Sequence, residues 1–265
     1  MFNWVVEKIK SKRQLVIAHR GASGSAPENT LAAFRRAKEF GVDGIELDVH
    51  LSASGEIVVI HDYELNRTAT NADGTPLNST LTVEDLTLSQ LQAYDVGQGE
   101  KIPTLQQVMD LIGPEIMLDI EIKANQGKPY KELSVALAGF LAQYGKDKSI
   151  DNVFVSSFNP LALNVFRKEA HKLKIDVPTA LIYANTKDVF PILRYGHGRF
   201  IHNPDILKPR YLDVENKKDL EQLKGKPIVA WTVNDETAAG KLLEKGIGGI
   251  ISNYPEKMLK LKRGR

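Results

Sequence analysis

The sequence predicts an α/β fold, a (β/α)8 or TIM barrel with a small inserted cap subdomain. Short apolar runs that are typical of buried strands recur along the chain, and segments with helical periodicity separate most of them. Nine such runs are present, but the third follows the second too closely for a parallel crossover connection. Eight strands in alternation with helices are the pattern of a barrel of this kind.

The composition limits the classes of function. The chain has 265 residues, a net charge of +2 and no cysteine. Its length suits one large domain with a sizeable core, and its near-neutral charge argues against nucleic acid as the main partner. The lack of cysteine excludes disulfides, thiolate metal sites and cysteine nucleophiles. No stretch has the length of a transmembrane span or the order of a signal peptide, so we expect a cytoplasmic monomer or homodimer.

Residues 1–14 form a predicted N-terminal helix with apolar residues on one side and lysines elsewhere. Two interpretations of it stay open. We expect the chain to form a single catalytic domain, residues 1–265, in which the barrel spans residues 15–260. The first interpretation is that the helix packs across the bottom of this barrel. The alternative is a basic amphipathic helix that makes weak contact with an anionic membrane surface.

The first βαβ unit begins with an apolar strand at residues 15–19. A Gly/Ser-rich loop follows, and Asn29 and Thr30 open a helix over residues 31–40 that Gly41 closes. The next strand starts at Gly44, so the connection is a right-handed crossover between parallel strands. Ligands of such folds bind at the carboxyl ends of the strands.

The strand that starts at Gly44 carries the strongest signal of a functional site. Its alternation places Glu46, Asp48 and His50 on one face and aliphatic residues on the other. Neighbouring carboxylates repel each other unless a cation lies between them, and hard divalent cations prefer carboxylate oxygens. The chain then turns and returns as a short strand, residues 57–60, which ends at His61.

Residues 63–113 interrupt the alternation of strands and helices. They are rich in Asn, Thr, Gly and Asp, with helical pieces near residues 82–94 and 104–112. Long insertions between scaffold elements are usually functional, so this one is predicted to form a cap beside the pocket.

The scaffold resumes at residues 116–123, where the inner face carries Asp119, Glu121 and Lys123 beneath an aliphatic outer face. We expect Asp119, which lies one step deeper, to be a buried and hydrogen-bonded support. The remaining predicted elements are helix 131–144, strand 152–157, helix 160–171, strand 178–183, helix 187–195, a weak strand 200–203, a helical segment 214–223, strand 227–233, helix 236–245, strand 248–252 and a basic helical tail 257–265.

The strand ends together supply seven groups with complementary chemistry. Three carboxylates suit Mg²⁺ or Ca²⁺, an arginine and a lysine suit an anion, and two imidazoles suit general acid–base catalysis. The combination points to metal-assisted cleavage of a phosphodiester. These groups are His19, Arg20, Glu46, Asp48, His61, Glu121 and Lys123.

The same residues lie in motifs that resemble the bacterial glycerophosphodiester phosphodiesterases, of the phosphatidylinositol-phospholipase-C-like superfamily. The motifs are His19-Arg20-Gly21, Pro27-Glu28-Asn29-Thr30, Glu46-Leu47-Asp48, His61-Asp62, Glu121-Ile122-Lys123 and Trp231-Thr232-Val233-Asn234. The resemblance runs from residue 15 to residue 259. It implies a TIM barrel with a small insertion, and hydrolysis of substrates such as glycerophosphocholine or glycerophosphoethanolamine to sn-glycerol 3-phosphate and an alcohol, a reaction of lipid and glycerol metabolism.

The resemblance also implies a role for each matching residue. His19 and His61 are expected to be the acid–base pair, and Trp231 to pack on the glycerol carbons. Glu46, Asp48 and Glu121 are expected to hold one divalent metal ion, Mg²⁺ or Ca²⁺. Arg20 and Lys123 are expected to contact the phosphate. Relatives in the wider superfamily attack with a substrate hydroxyl and form a cyclic phosphate, and the sequence leaves that route open.

Alternatives stay open for the substrate and for two supporting residues. The substrate could be a lysophospholipid or a polyglycerol-phosphate polymer, and a function of another class is binding of a phosphorylated ligand without turnover. Asn29 is expected to cap a helix, with a hydrogen bond in the active site as the alternative. His50 is expected to support the metal site from behind or to be exposed, rather than to bind the metal.

Overall fold

The computed structural model describes residues 3–11, 14–77, 80–124, 130–187, 189, 191–214 and 225–263. The strands are β1 (Leu15–His19), β2 (Gly44–Leu51), β3 (Ile57–Val59), β4 (Met117–Ile122), β5 (Val153–Ser157), β6 (Thr179–Tyr183), β7 (Ile206–Pro209), β8 (Val229–Ala230) and β9 (Gly249–Ser252). The α-helices are α1 (Trp4–Lys10), α2 (Leu31–Phe40), α3 (Leu88–Leu91), α4 (Leu105–Ile112), α5 (Tyr130–Tyr144), α6 (Pro160–Lys172), α7 (Glu236–Glu244) and α8 (Pro255–Arg263).

Eight of the strands form a parallel barrel. Their order is β7-β6-β5-β4-β2-β1-β9-β8, and every neighbouring pair in that order is parallel. Parallel bridges from Leu207 to Ile228 and from Arg210 to Trp231 connect β7 to β8 and close the ring. The predicted (β/α)8 barrel is confirmed.

The short strand β3 lies outside the ring. It pairs with β2 in antiparallel register, with Val59 opposite Val49. This agrees with the prediction that the run after Gly55 is a hairpin partner of β2 and not a barrel strand. The link between the two strands is too short for a parallel crossover connection.

The barrel strands bury their aliphatic outer face against the surrounding helices. Ile45, Leu47 and Val49 of β2 are fully buried in the main apolar core, together with Phe34 of α2. Helix α2 begins at an N-cap formed by Thr30, whose side chain accepts a hydrogen bond from a main-chain N–H of the first turn. The alternation of β2 thus leaves its acidic face for the interior of the barrel.

Helix α1 closes the amino-terminal end of the barrel. Asn3 caps it, and Val5 and Ile9 are fully buried with interior residues of the strands. A Cβ atom at Gly248 would lie 2.4 Å from the Ile9 side chain, so the close approach of the helix requires glycine there. Val5 and Ile9, two residues of the apolar side of this segment, are therefore packed inside the protein. Within the described ranges, no helix has the length and hydropathy needed to cross a membrane.

The insertion after β3 has an apolar cluster of its own. Leu65, Val83 and Leu91 are fully buried in that cluster, beside Val58 and Ile60 of the hairpin. Helix α4, which the sequence placed in the same insertion, instead buries its apolar face in the main core and packs on α2. The separate cluster of the cap thus ends before α4 begins.

In the region before β8, the structure differs from the elements predicted from the sequence. The seventh barrel strand lies at Ile206–Pro209, not at residues 200–203. The predicted helix at residues 187–195 is replaced by 3₁₀ turns over Pro191–Phe200, which are broken where Tyr195 and Gly196 take positive φ. Most of the predicted helical segment at residues 214–223 lies outside the described residues.

Candidate active site

Three acidic side chains meet at the carboxyl ends of β2 and β4. The parallel register pairs Asp48 with Glu121, and Glu46 lies two residues earlier on β2. One oxygen from each carboxylate lies within 4.8 Å of the others, and all three residues are buried. The register of two neighbouring strands therefore converts the alternation seen in sequence into a compact acidic cluster.

Burial makes this cluster electrostatically unfavourable without a cation. Desolvation and then the charge of Asp48 raise the pKa of Glu46 well above its ordinary value. Burial also acts to raise the pKa of Asp48, but Lys123 and then Arg20 outweigh it, and the pKa of Asp48 is lowered. A buried set of three hard oxygen donors fits Mg²⁺ or Ca²⁺, so the residues present suit the metal that the sequence predicts.

The ammonium group of Lys123 lies between two of these acids. Its Nζ atom is 2.8 Å from Oδ1 of Asp48 and 2.7 Å from Oε1 of Glu121. Burial disfavours the charged form, but these two carboxylates overcome that effect and raise the pKa of Lys123. Lys123 is therefore a permanent cation at the edge of the cluster.

Arg20 contacts the cluster through both main chain and side chain. It takes a left-handed conformation with φ of 55°, and its N–H donates to Oε2 of Glu46 at 3.0 Å. Its guanidinium lies 3.0 Å from Glu28 and 3.3 Å from Asp48. The turn after β1 thus aims a cation at the same acids that Lys123 faces from β4.

Asn29 is part of the site rather than a helix cap. Its Nδ2 atom donates to Oδ2 of Asp48 at 2.8 Å, and its Oδ1 atom accepts from the Asp48 main-chain N–H at 3.4 Å. The N-cap of α2 is Thr30. The capping role expected for Asn29 is wrong and the alternative is right, because the left-handed backbone at Asn29, with φ of 57°, turns it toward β2.

His19 ends β1 with a defined orientation. Its Nδ1 atom lies 2.6 Å from Oδ1 of Asn253, and its Nε2 atom lies 3.9 Å from Oε2 of Glu46. Because an amide oxygen only accepts, Nδ1 carries the proton and the Nε2 lone pair is left for the site. Burial and then the charge of Arg20 lower the pKa of His19 to about 3, so its neutral form prevails.

His61 lies at the other side of the cluster with a different partner. Its Nδ1 atom is 2.6 Å from Oδ1 of Asp62, and Arg67 of the cap donates to the second oxygen of the same carboxylate. Burial and then Lys123 lower the pKa of His61, while the hydrogen bond with Asp62 opposes them. The imidazolium form of His61 therefore has a carboxylate on Nδ1 to stabilise it, where His19 has the amide oxygen of Asn253.

A cleft of about 240 Å³ opens beside His61, Glu121 and Lys123. Phe158, which follows β5, forms another part of its wall. The ring of Trp231 packs edge-to-face against Phe158 at a centroid distance of 5.4 Å, and its Nε1 atom donates to a main-chain oxygen at 2.8 Å. Trp231 is half-buried and contacts this wall through Phe158.

A buried ion pair lies below the acidic cluster. Asp119 accepts hydrogen bonds from Lys208 and from Ser156, whose hydroxyl is 2.6 Å away. Burial acts to raise the pKa of Asp119 and to lower that of Lys208, but the charge of Asp119 keeps the lysine pKa raised. Asp119 is the buried support that the sequence predicted.

The sequence did not reveal several residues of the site. Asn253 contacts His19, and Lys208 contacts Asp119 below the site, through pairings that span 234 and 89 residues of chain. Glu28, which the sequence left without a role, bridges Arg20 and the cap residue Arg67. A usable signal for Asn253 was its place directly after β9, which neighbours β1 in the barrel.

The chain is similar to known proteins over nearly its whole length. The chain matches the glycerophosphoryl diester phosphodiesterase family over residues 19–257. A glycerophosphodiester phosphodiesterase of Caldanaerobacter subterraneus is 35% identical over 261 residues, which cover 95% of this chain and 98% of the relative. A glycerophosphodiester phosphodiesterase of Bacillus subtilis is 30% identical over 275 residues, covering 95% and 87%.

Solved structures show the same fold. A phosphodiesterase from Oleispira antarctica, in complex with the product sn-glycerol-3-phosphate, superposes with a TM-score of 0.77 and is 29% identical, covering 96% of this chain and 98% of that one. A glycerophosphodiester phosphodiesterase from Thermotoga maritima has a TM-score of 0.71 and 28% identity, covering 94% and 98%. With a family match over nearly its whole length, this chain belongs to the glycerophosphoryl diester phosphodiesterase family.

Proposed function

We propose that this enzyme hydrolyses small glycerophosphodiesters to sn-glycerol 3-phosphate and an alcohol, with the help of a divalent metal ion. The observation that carries the proposal is the pair of imidazoles on either side of the acidic cluster. His19 lies next to Glu46, and His61 lines the cleft with Glu121. Ligand binding alone does not need two oriented histidines, which argues against a non-catalytic role.

Glu46, Asp48 and Glu121 would hold the metal ion. Together with Arg20 and Lys123 they carry one net negative charge when the acids are ionised. A divalent cation and the single negative charge of a phosphodiester would bring that total to zero. A bound Mg²⁺ or Ca²⁺ would supply charge stabilisation at a phosphate oxygen.

The two histidines would take opposite roles. His19 has a free Nε2 lone pair and no carboxylate partner on Nδ1, so it suits the general base that accepts the proton of the attacking hydroxyl, whether water or a glycerol hydroxyl. His61 has the Asp62 carboxylate on Nδ1, which stabilises the imidazolium form, so it suits the general acid. As the new P–O bond forms, the bond to the alcohol breaks and His61 gives its proton to the departing oxygen.

Lys123 and Arg20 would bind the phosphate. Both cations face Asp48, so an anion bound beside the metal would lie within their field. Lys123 also lines the cleft, where it would meet the phosphate directly. Trp231 supports Phe158 at the cleft wall, and we propose that these rings pack against the glycerol carbons.

The test is release of glycerol 3-phosphate from glycerophosphocholine after chelation, with Mg²⁺, Ca²⁺ or Zn²⁺ then restored one at a time. We expect no release with chelator and recovery with Mg²⁺ or Ca²⁺. Release that is unaffected by chelator would contradict the metal role. No release with any metal, combined with turnover of lysophosphatidylcholine, would replace the small substrate by a lipid.

A further inference from the structure

His50 is a buried imidazole that joins the segment carrying His61 to the cap. Its Nε2 atom lies 3.2 Å from the main-chain oxygen of His61, and its Nδ1 atom lies 2.9 Å from Oε1 of Glu84 in the cap. The Tyr63 ring packs edge-on against it at a centroid distance of 4.7 Å. The side chain is fully buried, so these contacts define its surroundings.

The hydrogen bonds of His50 fix the orientation of its ring and the donor role of Nε2. A carbonyl oxygen accepts and never donates, so Nε2 must donate its proton to His61. Nδ1, the other ring nitrogen, lies at hydrogen-bond distance from Oε1 of Glu84. The ring is thus held at both nitrogens, and the N–H that points at His61 cannot turn away.

His61 needs such support because it lies beyond the end of a short strand. Strand β3 ends at Val59, and the Ile60 N–H donates to the main-chain oxygen of Asp48 at 3.0 Å. On the other side, the Val83 N–H donates to the Tyr63 oxygen at 2.8 Å, which pairs the chain with the cap. The main chain of His61 therefore lies between the barrel and the cap, where the Nε2–H of His50 meets its carbonyl.

We propose that His50 is a positioning residue, which fixes the main chain at His61 and couples it, through Glu84, to the placement of the cap. The inference rests on the proposed function, in which His61 delivers a proton to the leaving alcohol. Displacement of a reacting group by about 1 Å can cost on the order of 100-fold in rate, so a tether on its main chain affects turnover. The coupling would let the placement of the cap act on the acid through Glu84 and His50.

The test compares two substitutions that keep one hydrogen bond each. The amide nitrogen of Gln reaches the place of Nε2, so His50→Gln keeps the donor to His61. The amide of Asn reaches only the place of Nδ1, so His50→Asn keeps the contact to Glu84 and loses the other. His171→Asn, on the exposed face of α6, is the matched control. The readouts are kcat and KM on glycerophosphocholine and on a glycerophosphodiester whose alcohol is 4-nitrophenol.

We expect His50→Asn to lower kcat on glycerophosphocholine by about tenfold or more, with KM changed by less than about twofold. The loss should shrink with 4-nitrophenol, which leaves without a proton, and His61→Ala should show the same dependence on the leaving group. His50→Gln should keep kcat within about threefold. An unchanged kcat in His50→Asn, or an equal loss on both substrates, would overturn the inference.

A second substitution keeps the test decisive if His50→Asn does not fold. Glu84→Ala removes the same link from the side of the cap, and it should lower kcat with the same dependence on the leaving group. Unchanged kcat in that variant would overturn the coupling. Wild-type enzyme that releases no glycerol 3-phosphate would overturn the proposed function, whereas active wild type beside an unaltered His50→Asn would overturn this inference alone.

Discussion

The Nζ atom of Lys123 lies 2.8 Å from Oδ1 of Asp48, so a buried ammonium shares an oxygen with the proposed metal site. The same ammonium lies 2.7 Å from Glu121. Lys123 therefore has two opposite electrostatic effects in the site. It repels a metal ion held by these acids, and it attracts the phosphate that such an ion would bind.

Lys123→Met and Asp48→Asn should separate these two effects. We expect Lys123→Met to lower kcat by about 100-fold or more because transition-state charge loses a cation, while the Mg²⁺ concentration for half-maximal rate does not rise. Asp48→Asn should raise that Mg²⁺ concentration by about tenfold or more, because a metal oxygen ligand loses its charge. The measurement is initial rate against Mg²⁺ concentration. A higher Mg²⁺ requirement in Lys123→Met would contradict the assignment.

The buried pair of Asp119 and Lys208 should dominate the response of stability to mutation below the site. Both side chains are almost completely buried, so removal of one partner leaves an uncompensated charge. We expect Lys208→Met to reduce the free energy of unfolding by about 3–5 kcal/mol. The double variant Asp119→Leu, Lys208→Met should recover more than half of that loss, as measured by urea unfolding.

The control for this pair is Lys168→Met on the exposed side of α6, which should change the free energy of unfolding by less than about 0.5 kcal/mol. If the double variant is no more stable than Lys208→Met alone, the loss comes from packing and not from the unpaired charge.

Stability should fall on acidification partly because of His202. Its Nε2 atom lies 2.8 Å from the Thr179 hydroxyl and its Nδ1 atom 2.7 Å from Asn164, and burial followed by the charge of Arg167 lowers its pKa from 6.5 to about 4. Between pH 4 and pH 6.5, the unfolded chain therefore binds a proton at His202 that the folded chain does not bind. The contribution of neutral His202 to the free energy of unfolding is complete above pH 6.5 and is lost as the pH falls toward 4.

The expected slope from this one group is up to about 1.4 kcal/mol for each pH unit in that window. Urea unfolding of the wild type and of His202→Gln at several values from pH 7 to pH 4 measures it. The variant should lose less stability on acidification than the wild type does. Parallel pH curves for the two proteins would show that His202 does not titrate in this window.

The acidic face of the site was predictable because it depends on local periodicity. Glu46 and Asp48 alternate with aliphatic residues on β2, and Glu121 repeats the pattern on β4, so strand geometry alone brings them to one interior edge. His19 and His61 were predictable for a related reason, since each follows an apolar run at the point where it ends.

The seventh strand was missed because its composition contradicts a buried strand. Lys208 and Pro209 lie within β7, and a lysine in the interior becomes acceptable only when Asp119 of β4 meets it. The partner of His19 was missed because it lies far away along the chain. Asn253 contacts His19 across 234 residues, a pairing that no local pattern records.

The proton donor is the central assignment of this account, and rates with two leaving groups test it most directly. The measurement compares His61→Ala and His19→Ala on glycerophosphocholine and on the 4-nitrophenol diester, with release of the alcohol as the readout. General acid–base catalysis contributes roughly 100- to 10,000-fold to the rate. We expect His61→Ala to lose this factor in rate on glycerophosphocholine and to recover most of it on the 4-nitrophenol diester. We expect His19→Ala to be slow on both substrates. Recovery in His19→Ala, with none in His61→Ala, would contradict the assignment.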